Sequence, residues 1–338
     1  MTNVLNTLYV TTEGARVHRE GDSLRVIVER ELKMQIPLHH LTSLVCFGPV
    51  LVTPQAMQSC AEAGTLVAFL GPTGRFLARV EGAAVRSAAL RREQYRAADD
   101  PARALAHARG FVGGKIANER TVVRRAGRTR EGDGDELDRC AARLSELGKR
   151  VLDAPDLDVL RGIEGEAAAR YFDVFDRMMV RDEMRFEKRT RRPPRNAVNA
   201  MLSFGYSLLS ADCTAAAQAA ALDPAVGFLH AERPGRPALA LDLMEELRPV
   251  VVDRTVMAML RLGQLGPADF EALETGEVRF KGAARKTFLV EYQTRKRDLV
   301  THPLAAEPVE WALVPHIQAR LLARAVRGEA EYVPFLLK

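Results

Sequence analysis

Thr65-Leu66-Val67-Ala68-Phe69-Leu70-Gly71-Pro72-Thr73-Gly74-Arg75-Phe76-Leu77-Ala78-Arg79-Val80 is the stretch where the chain changes character. Thr65 to Leu70 reads as a buried strand, and Gly71 to Gly74 supplies turn residues that lead into Arg75 to Val80. Upstream the pattern is also β. Thr7-Leu8-Tyr9-Val10-Thr11, Leu24-Arg25-Val26-Ile27-Val28 and Ser43-Leu44-Val45-Cys46-Phe47 are short and rich in apolar and β-branched residues. Leu24, Val26 and Val28 share one face, and Gly21-Asp22 suits a hairpin turn before them. One helix interrupts: Thr53 is a good N-cap, Pro54 fits the first turn and Gly64 ends it.

From about residue 83 the apolar period lengthens from two to three or four. Helices are expected over 84–98, 101–126, 135–153, 156–179, 196–210, 212–221, 237–263, 267–274 and 305–327. Breakers such as Asp99-Asp100-Pro101, Ala154-Pro155-Asp156 and Arg192-Pro193-Pro194 separate them. The expected fold class is α+β: a small β-rich N-terminal domain over 1–82, then a larger all-α C-terminal domain over 83–338.

With 338 residues, 47% of them hydrophobic and 28% charged, the composition is that of an ordinary globular protein. Four scattered cysteines (Cys46, Cys60, Cys140, Cys213) form no C-x-x-C pair, which argues against a disulfide frame or a zinc cage. No signal-peptide pattern and no membrane-length apolar run are present, so a cytoplasmic location is expected. There is no phosphate loop, dinucleotide fingerprint or Ser-His-Asp pattern.

The chemistry gathers in three places. Glu164 sits about two turns into a helix whose start is marked by Asp156, flanked by Gly162 and Gly165. Two glycines in a helix cost ~1 kcal/mol each relative to Ala, so a close ligand or neighbouring helix is the expected compensation. His230 closes the apolar run Ala225-Val226-Gly227-Phe228-Leu229. Asp242 and Glu245 then lie three apart on one face of a largely apolar helix. Taken singly, each has a plain structural reading: a solvated acid, a core-edge histidine, an exposed acidic stripe that suits Glu246 better than Asp242. Together they supply an imidazole and two or three carboxylates. That donor set suits Mg²⁺ or Mn²⁺ better than zinc, and such an ion assists displacement at phosphorus.

Net charge is +5, and the positive charge is clustered. Lys188, Arg189, Arg191, Arg192 and Arg195 fall within eight residues; Arg120, Arg124, Arg125, Arg128 and Arg130 form a second run; Arg285, Lys286, Arg295, Lys296 and Arg297 form a third. The second reads as a solvated helix face. Three runs beside an acid cluster favour a phosphate track and hence a nucleic-acid partner.

Four motifs in order resemble the CRISPR-associated endonuclease one family, the integrase of spacer acquisition. They are Leu160-Arg161-Gly162-Ile163-Glu164-Gly165-Glu166-Ala167-Ala168, Asn196-Ala197 through Tyr206, Asp223-Pro224-Ala225-Val226-Gly227-Phe228-Leu229-His230, and Leu239 through Pro249. The ending, His302-Pro303-Leu304 to Trp311 and then Glu331 to Phe335, looks most like the type I-C branch.

The resemblance implies that Glu164, His230 and Glu245 hold the ion, with Asp242 joining them in catalysis. Glu245 stands where some members have aspartate, which leaves open whether Glu245 binds the ion directly or Asp242 takes part through water. Tyr206 matches a tyrosine near the active site, a structural tyrosine being an equal reading, and Asn196 and Asn199 are expected to hold helix packing. The implied reaction joins the 3′ hydroxyl ends of a DNA fragment to a CRISPR repeat. The implied partners are a second copy bound through the β domain, a small CRISPR-associated protein two dimer, and an iron–sulfur adaptation nuclease in some systems. The rival readings are a structure-selective nuclease without joining activity and a non-catalytic DNA-binding scaffold.

Overall fold

The computed structural model describes residues 6–71, 76–80, 82, 88–128, 134–179, 183–304 and 307–337. The chain divides into two compact units, Met1–Ala88 and Ala89–Lys338. The order is the expected one, a β-rich unit followed by a helical one.

The first unit holds two four-stranded sheets. One contains β1 (Asn6–Val10), β5 (Leu41–Phe47), β7 (Leu66–Leu70) and β8 (Phe76–Val80), in that spatial order, with β1, β5 and β7 parallel and β8 antiparallel. The other runs β4 (Glu31–Pro37), β3 (Ser23–Val28), β2 (Arg16–Glu20), β6 (Leu51–Val52). Glu20 pairs with Ser23 across Gly21-Asp22, the hairpin turn expected from sequence, and Gly21 has the positive φ of 57° that such a turn favours. Leu24 and Val26 face the core with Leu44, Cys46, Val52 and Val67, while Val28 is partly buried beside them. Helix α1 (Pro54–Ala63) crosses between β6 and β7. Thr53 Oγ1 caps it by accepting the Ala56 N–H, and Gly64 closes it at φ 75°. The strand pattern of β2 and β4 escaped sequence reading because their outer residues are charged. The turn expected at Pro72-Thr73-Gly74 lies outside the described residues.

The second unit is built from α2 (Ala88–Asp99), α3 (Pro101–Gly127), α4 (Gly134–Leu152), α5 (Leu157–Asp173), α6 (Phe175–Met178), α7 (Ala197–Ala219), α8 (Ala238–Glu245), α9 (Arg254–Leu262), α10 (Ala284–Arg297) and α11 (Val314–Val326). Helix α3 is the central rod; α4, α5 and α8 pack on it. Its side chains Phe111, Val112, Ile116 and Val123 are fully buried or nearly so.

Four expectations are corrected. Residues 196–210 and 212–221 form one helix, α7, because the intervening Ala211 is no breaker. The segment 237–263 is divided: α8 ends at Glu245, Pro249 follows, and a wide turn over Arg248–Asp253 leads into α9. Of residues 267–274 only Pro267–Asp269 make a single 3-10 turn; Phe270–Ala272 (β9) pairs antiparallel with Val278–Phe280 (β10) around Thr275-Gly276, and Gly276 has φ 74°. The helix expected over 305–327 is shorter: β12 (Val309–Glu310) pairs antiparallel with β11 (Leu299–Val300), and α11 begins only at Val314. All four cysteines are free and buried, and no described helix is long and apolar enough to cross a membrane.

Candidate metal centre

Four pieces of chain meet at the site: the middle of α3, the middle of α5, the loop after α7, and α8 with the turn beyond it. Helix α5 starts where Asp156 accepts the Val159 N–H at 2.8 Å, and this cap fixes the register that presents Glu164. Three residues before Glu164, Arg161 donates from Nε and Nη2 to the Leu229 carbonyl at 3.0 and 2.9 Å. That two-pronged contact ties α5 to the loop that carries His230.

Asp242 organises that loop. It is fully buried, and its Oδ2 accepts the N–H groups of Phe228 and Leu229 at 2.6 and 3.1 Å. Its Oδ1 accepts the His230 N–H at 3.0 Å and faces His230 Nδ1 at 2.7 Å. An ionised carboxylate only accepts, so Nδ1 carries a proton, and in the neutral ring Nε2 is the nitrogen that keeps its lone pair. A close approach makes this possible: a Cβ on Gly227 would lie 2.7 Å from Asp242 Oδ2 and 2.9 Å from the Ala238 carbonyl carbon.

His230 Nε2 points toward Glu245, 3.7 Å from Oε1. Glu245 is 3% exposed, with Arg248 Nη2 at 3.1 Å from Oε1 and Lys115 Nζ at 2.7 Å from Oε2. Burial by itself raises the Glu245 carboxyl; Arg248 and Lys115 outweigh it and hold the group below the usual carboxylate range. Lys115 also donates to Glu164 Oε1, so one ammonium lies between the carboxylates of α5 and α8.

Lys115 thus links Glu164 to Glu245, and His230, held by Asp242, faces Glu245 from the other side, although Asp242 spends both oxygens on the loop and on the imidazole. Tyr206 lies one step back. Its ring stacks on the Arg248 guanidinium at 4.8 Å, and its hydroxyl donates to Asp253 at 2.6 Å. Asn196 caps α7, and Asn199 bonds Arg189, Thr190 and Lys188, so both serve packing.

Other expectations are revised by the contacts. Gly162 and Gly165 have no atom within 4 Å of an added Cβ, so no neighbouring helix explains them; that face of α5 is open. Glu246 is fully buried rather than exposed, accepting from Gln318, Tyr332 and the Phe335 N–H. Lys188, Arg191, Arg192 and Arg195 are exposed, whereas the Arg189 guanidinium is partly enclosed, donating to the Thr190 carbonyl, Asn199 and Ser203. Lys296, in the third basic run, is buried against Asp212 at 2.8 Å.

Sequence reading missed Lys115, Arg161 and Arg248. A usable signal existed for the first: Phe111-Val112-Gly113-Gly114-Lys115-Ile116 places a lone cation inside an apolar helical run.

By chemical type the donors suit a hard divalent ion, while among the described residues no three His, Cys, Asp or Glu side chains stand together as a ready-made metal cage. Glu164 and Glu245 supply carboxylate oxygens, and His230 offers a neutral nitrogen whose tautomer Asp242 fixes. The two carboxylates already embrace a cationic centre, the Lys115 ammonium.

Residues 8–294 match the model of the family described as CRISPR associated protein Cas1. A CRISPR-associated endonuclease Cas1 of Chlorobaculum tepidum is 44% identical over 98% of this chain and 98% of its own length. Among solved structures, a CAS1 protein from Thermotoga maritima superposes with a TM-score of 0.83 at 22% identity, covering 97% of this chain and 99% of that one. A Cas6-RT-Cas1–Cas2 complex superposes with a TM-score of 0.83 at 24% identity, over 97% of this chain and 36% of its counterpart. With the family model spanning most of its length and a relative at 44% identity, the chain belongs to the Cas1 family of CRISPR-associated proteins.

Proposed function

We propose that this chain is a divalent-metal-dependent DNA endonuclease and integrase of CRISPR adaptation, of the type I-C branch. It joins the 3′ hydroxyl ends of a short DNA fragment to the borders of a repeat by transesterification. The observation that carries the reading is the Lys115 ammonium that Glu164 and Glu245 share, with His230 Nε2 3.7 Å from the Glu245 carboxylate.

In this reading Glu164, His230 and Glu245 hold Mg²⁺ or Mn²⁺, which on binding polarises the phosphoryl oxygen and steadies charge on the attacking and leaving oxygens. Asp242 keeps His230 in the tautomer that offers Nε2. Arg248 steadies the Glu245 carboxylate and is itself braced on Tyr206. The open face of α5 at Gly162 and Gly165 leaves room for the DNA backbone to approach Glu164. Lys188, Arg191, Arg192 and Arg195 contact phosphates. Arg233 and Arg236 join this rim: Arg236 is held below its ordinary range by partial burial and by Arg233 and Arg192 nearby.

The type I-C assignment rests on the resemblance of the ending, whose Phe335 packs on Trp311 at 5.1 Å and whose His302 bonds Gln318. The β unit mediates homodimer formation; Leu32 and Met34 on β4 and Leu51 on β6, the two outer strands of one sheet, are about half exposed. A dimeric Cas2 protein is the proposed partner, as named in the complex described above, and the assembly works in the cytoplasm.

A fragment-integration assay with Glu164→Ala and His230→Ala proteins tests the reading. Both are expected to lose metal-dependent joining while remaining folded; full activity in either overturns the assignment. Cleavage of branched DNA with no joining, even with the Cas2 partner present, would favour the plain nuclease.

A further inference from the structure

Lys115 lies in the middle of α3 with its side chain 6% exposed. Its ammonium bonds Glu164 and stands 2.7 Å from Glu245 Oε2. Burial alone favours the neutral amine; Glu245, Glu164 and Glu119 override it and hold Lys115 above its ordinary range. An ammonium between two carboxylates cancels a repulsion that would otherwise splay α5 from α8.

The oxygens it engages are the ones the proposed ion needs, and two cations cannot share them without strong mutual repulsion. One helical turn along α3 lies Glu119, which is 1% exposed. Its Oε2 is buried and has no hydrogen-bond partner among the described residues, and burial pushes its carboxyl up to about 8, so it receives the ammonium by releasing its own proton to solvent. Residues four apart on a helix are neighbours, so Glu119 is the acceptor next in line for the Lys115 side chain.

We propose that Lys115 is an exchangeable internal cation. It holds Glu164 and Glu245 together until a divalent ion takes their oxygens, and its ammonium then turns along α3 to the carboxyl of Glu119. The inference rests on the metal centre proposed above. Lys115 is a positioning residue: it acts through the two carboxylates, and the exchange needs only side-chain rotation.

Titration of the full chain with Mn²⁺, followed by electron paramagnetic resonance, tests it. Lys115→Met keeps the length of the stem and removes the charge, and is expected to bind Mn²⁺ about tenfold more tightly. Its melting temperature in chelator is expected to fall and to recover with Mn²⁺. Equal or weaker affinity in a folded Lys115→Met protein overturns the proposal.

Glu119→Gln keeps the test decisive if Lys115→Met does not fold. In the otherwise unaltered chain it is expected to weaken Mn²⁺ binding several-fold, and an unchanged affinity overturns the exchange. If Mn²⁺ binding by the unaltered chain is indifferent to Glu164→Ala, the metal centre itself fails. If that binding depends on Glu164 while Lys115→Met binds no tighter, only the exchange fails.

Discussion

His230 Nδ1 lies 2.7 Å from Asp242 Oδ1, and the same carboxylate accepts three consecutive backbone N–H groups, those of Phe228, Leu229 and His230. Asp242 is therefore an acceptor on every side. In Asp242→Asn one oxygen becomes an amide that donates, and a donor must then face donors. The expected cost is about 2–3 kcal/mol from unsatisfied buried groups, read by chemical denaturation. Metal affinity should fall about 10–100-fold as His230 loses its fixed orientation. Native stability together with native affinity would show that the loop does not depend on this carboxylate.

Gly227 and Gly162 make opposite predictions. A Cβ at Gly227 meets Asp242 and the Ala238 backbone below 3.0 Å, so Gly227→Ala should destabilise the protein by about 1–3 kcal/mol and displace His230. A Cβ at Gly162 meets nothing, so Gly162→Ala should stabilise α5 by about 1 kcal/mol. If DNA approaches that face, the same variant should bind DNA more weakly despite its higher melting temperature. Tighter or unchanged DNA binding would place the nucleic acid elsewhere.

Asp253 gives a pH signature. It accepts the hydroxyls of Tyr206 and Tyr171 at 2.6 and 3.0 Å, and burial pushes its carboxyl up to about 6 against those bonds. The unfolded carboxyl titrates near its ordinary value of about 3.9, so the folded state holds this proton more tightly. The stability it contributes is complete below about pH 4 and is lost as pH rises through about 6. Asp253→Asn should remove this dependence. Between about pH 4 and 7 the unfolding free energy of the unaltered chain should fall by about 2–3 kcal/mol relative to the variant. A difference that stays flat over that interval contradicts the account.

The basic run divides into exposed and enclosed cations. Replacing Arg191, Arg192 and Arg195 together should weaken DNA binding and reduce its logarithmic salt slope by about 0.9 for each phosphate no longer neutralised. Arg189→Ala should act differently, lowering stability, because its guanidinium joins Thr190, Asn199 and Ser203. An unchanged slope in the triple variant would assign those cations to solvent or to a protein partner.

Elements with local punctuation were legible in the sequence. Thr53, Asp156 and Asn196 each accept a backbone N–H at a helix start, and Gly64 ends α1. Helix α10 was not legible, because Phe288, Leu289 and Tyr292 are interleaved with charged residues and Lys296 is buried only through its pairing with Asp212. The β9–β10 hairpin was misread since its strands are three residues long, too short to show a period of two. At the site the acids and the histidine stood out by type. Lys115 and Arg161 did not, because their partners lie 49 and 68 residues away along the chain.

The most direct measurement is anomalous diffraction at the manganese edge from crystals soaked in Mn²⁺. The account predicts one strong peak within coordinating distance, about 2.0–2.3 Å, of Glu164, His230 Nε2 and Glu245 together. A peak bound by other residues, or one that leaves any of these three beyond reach, would contradict it.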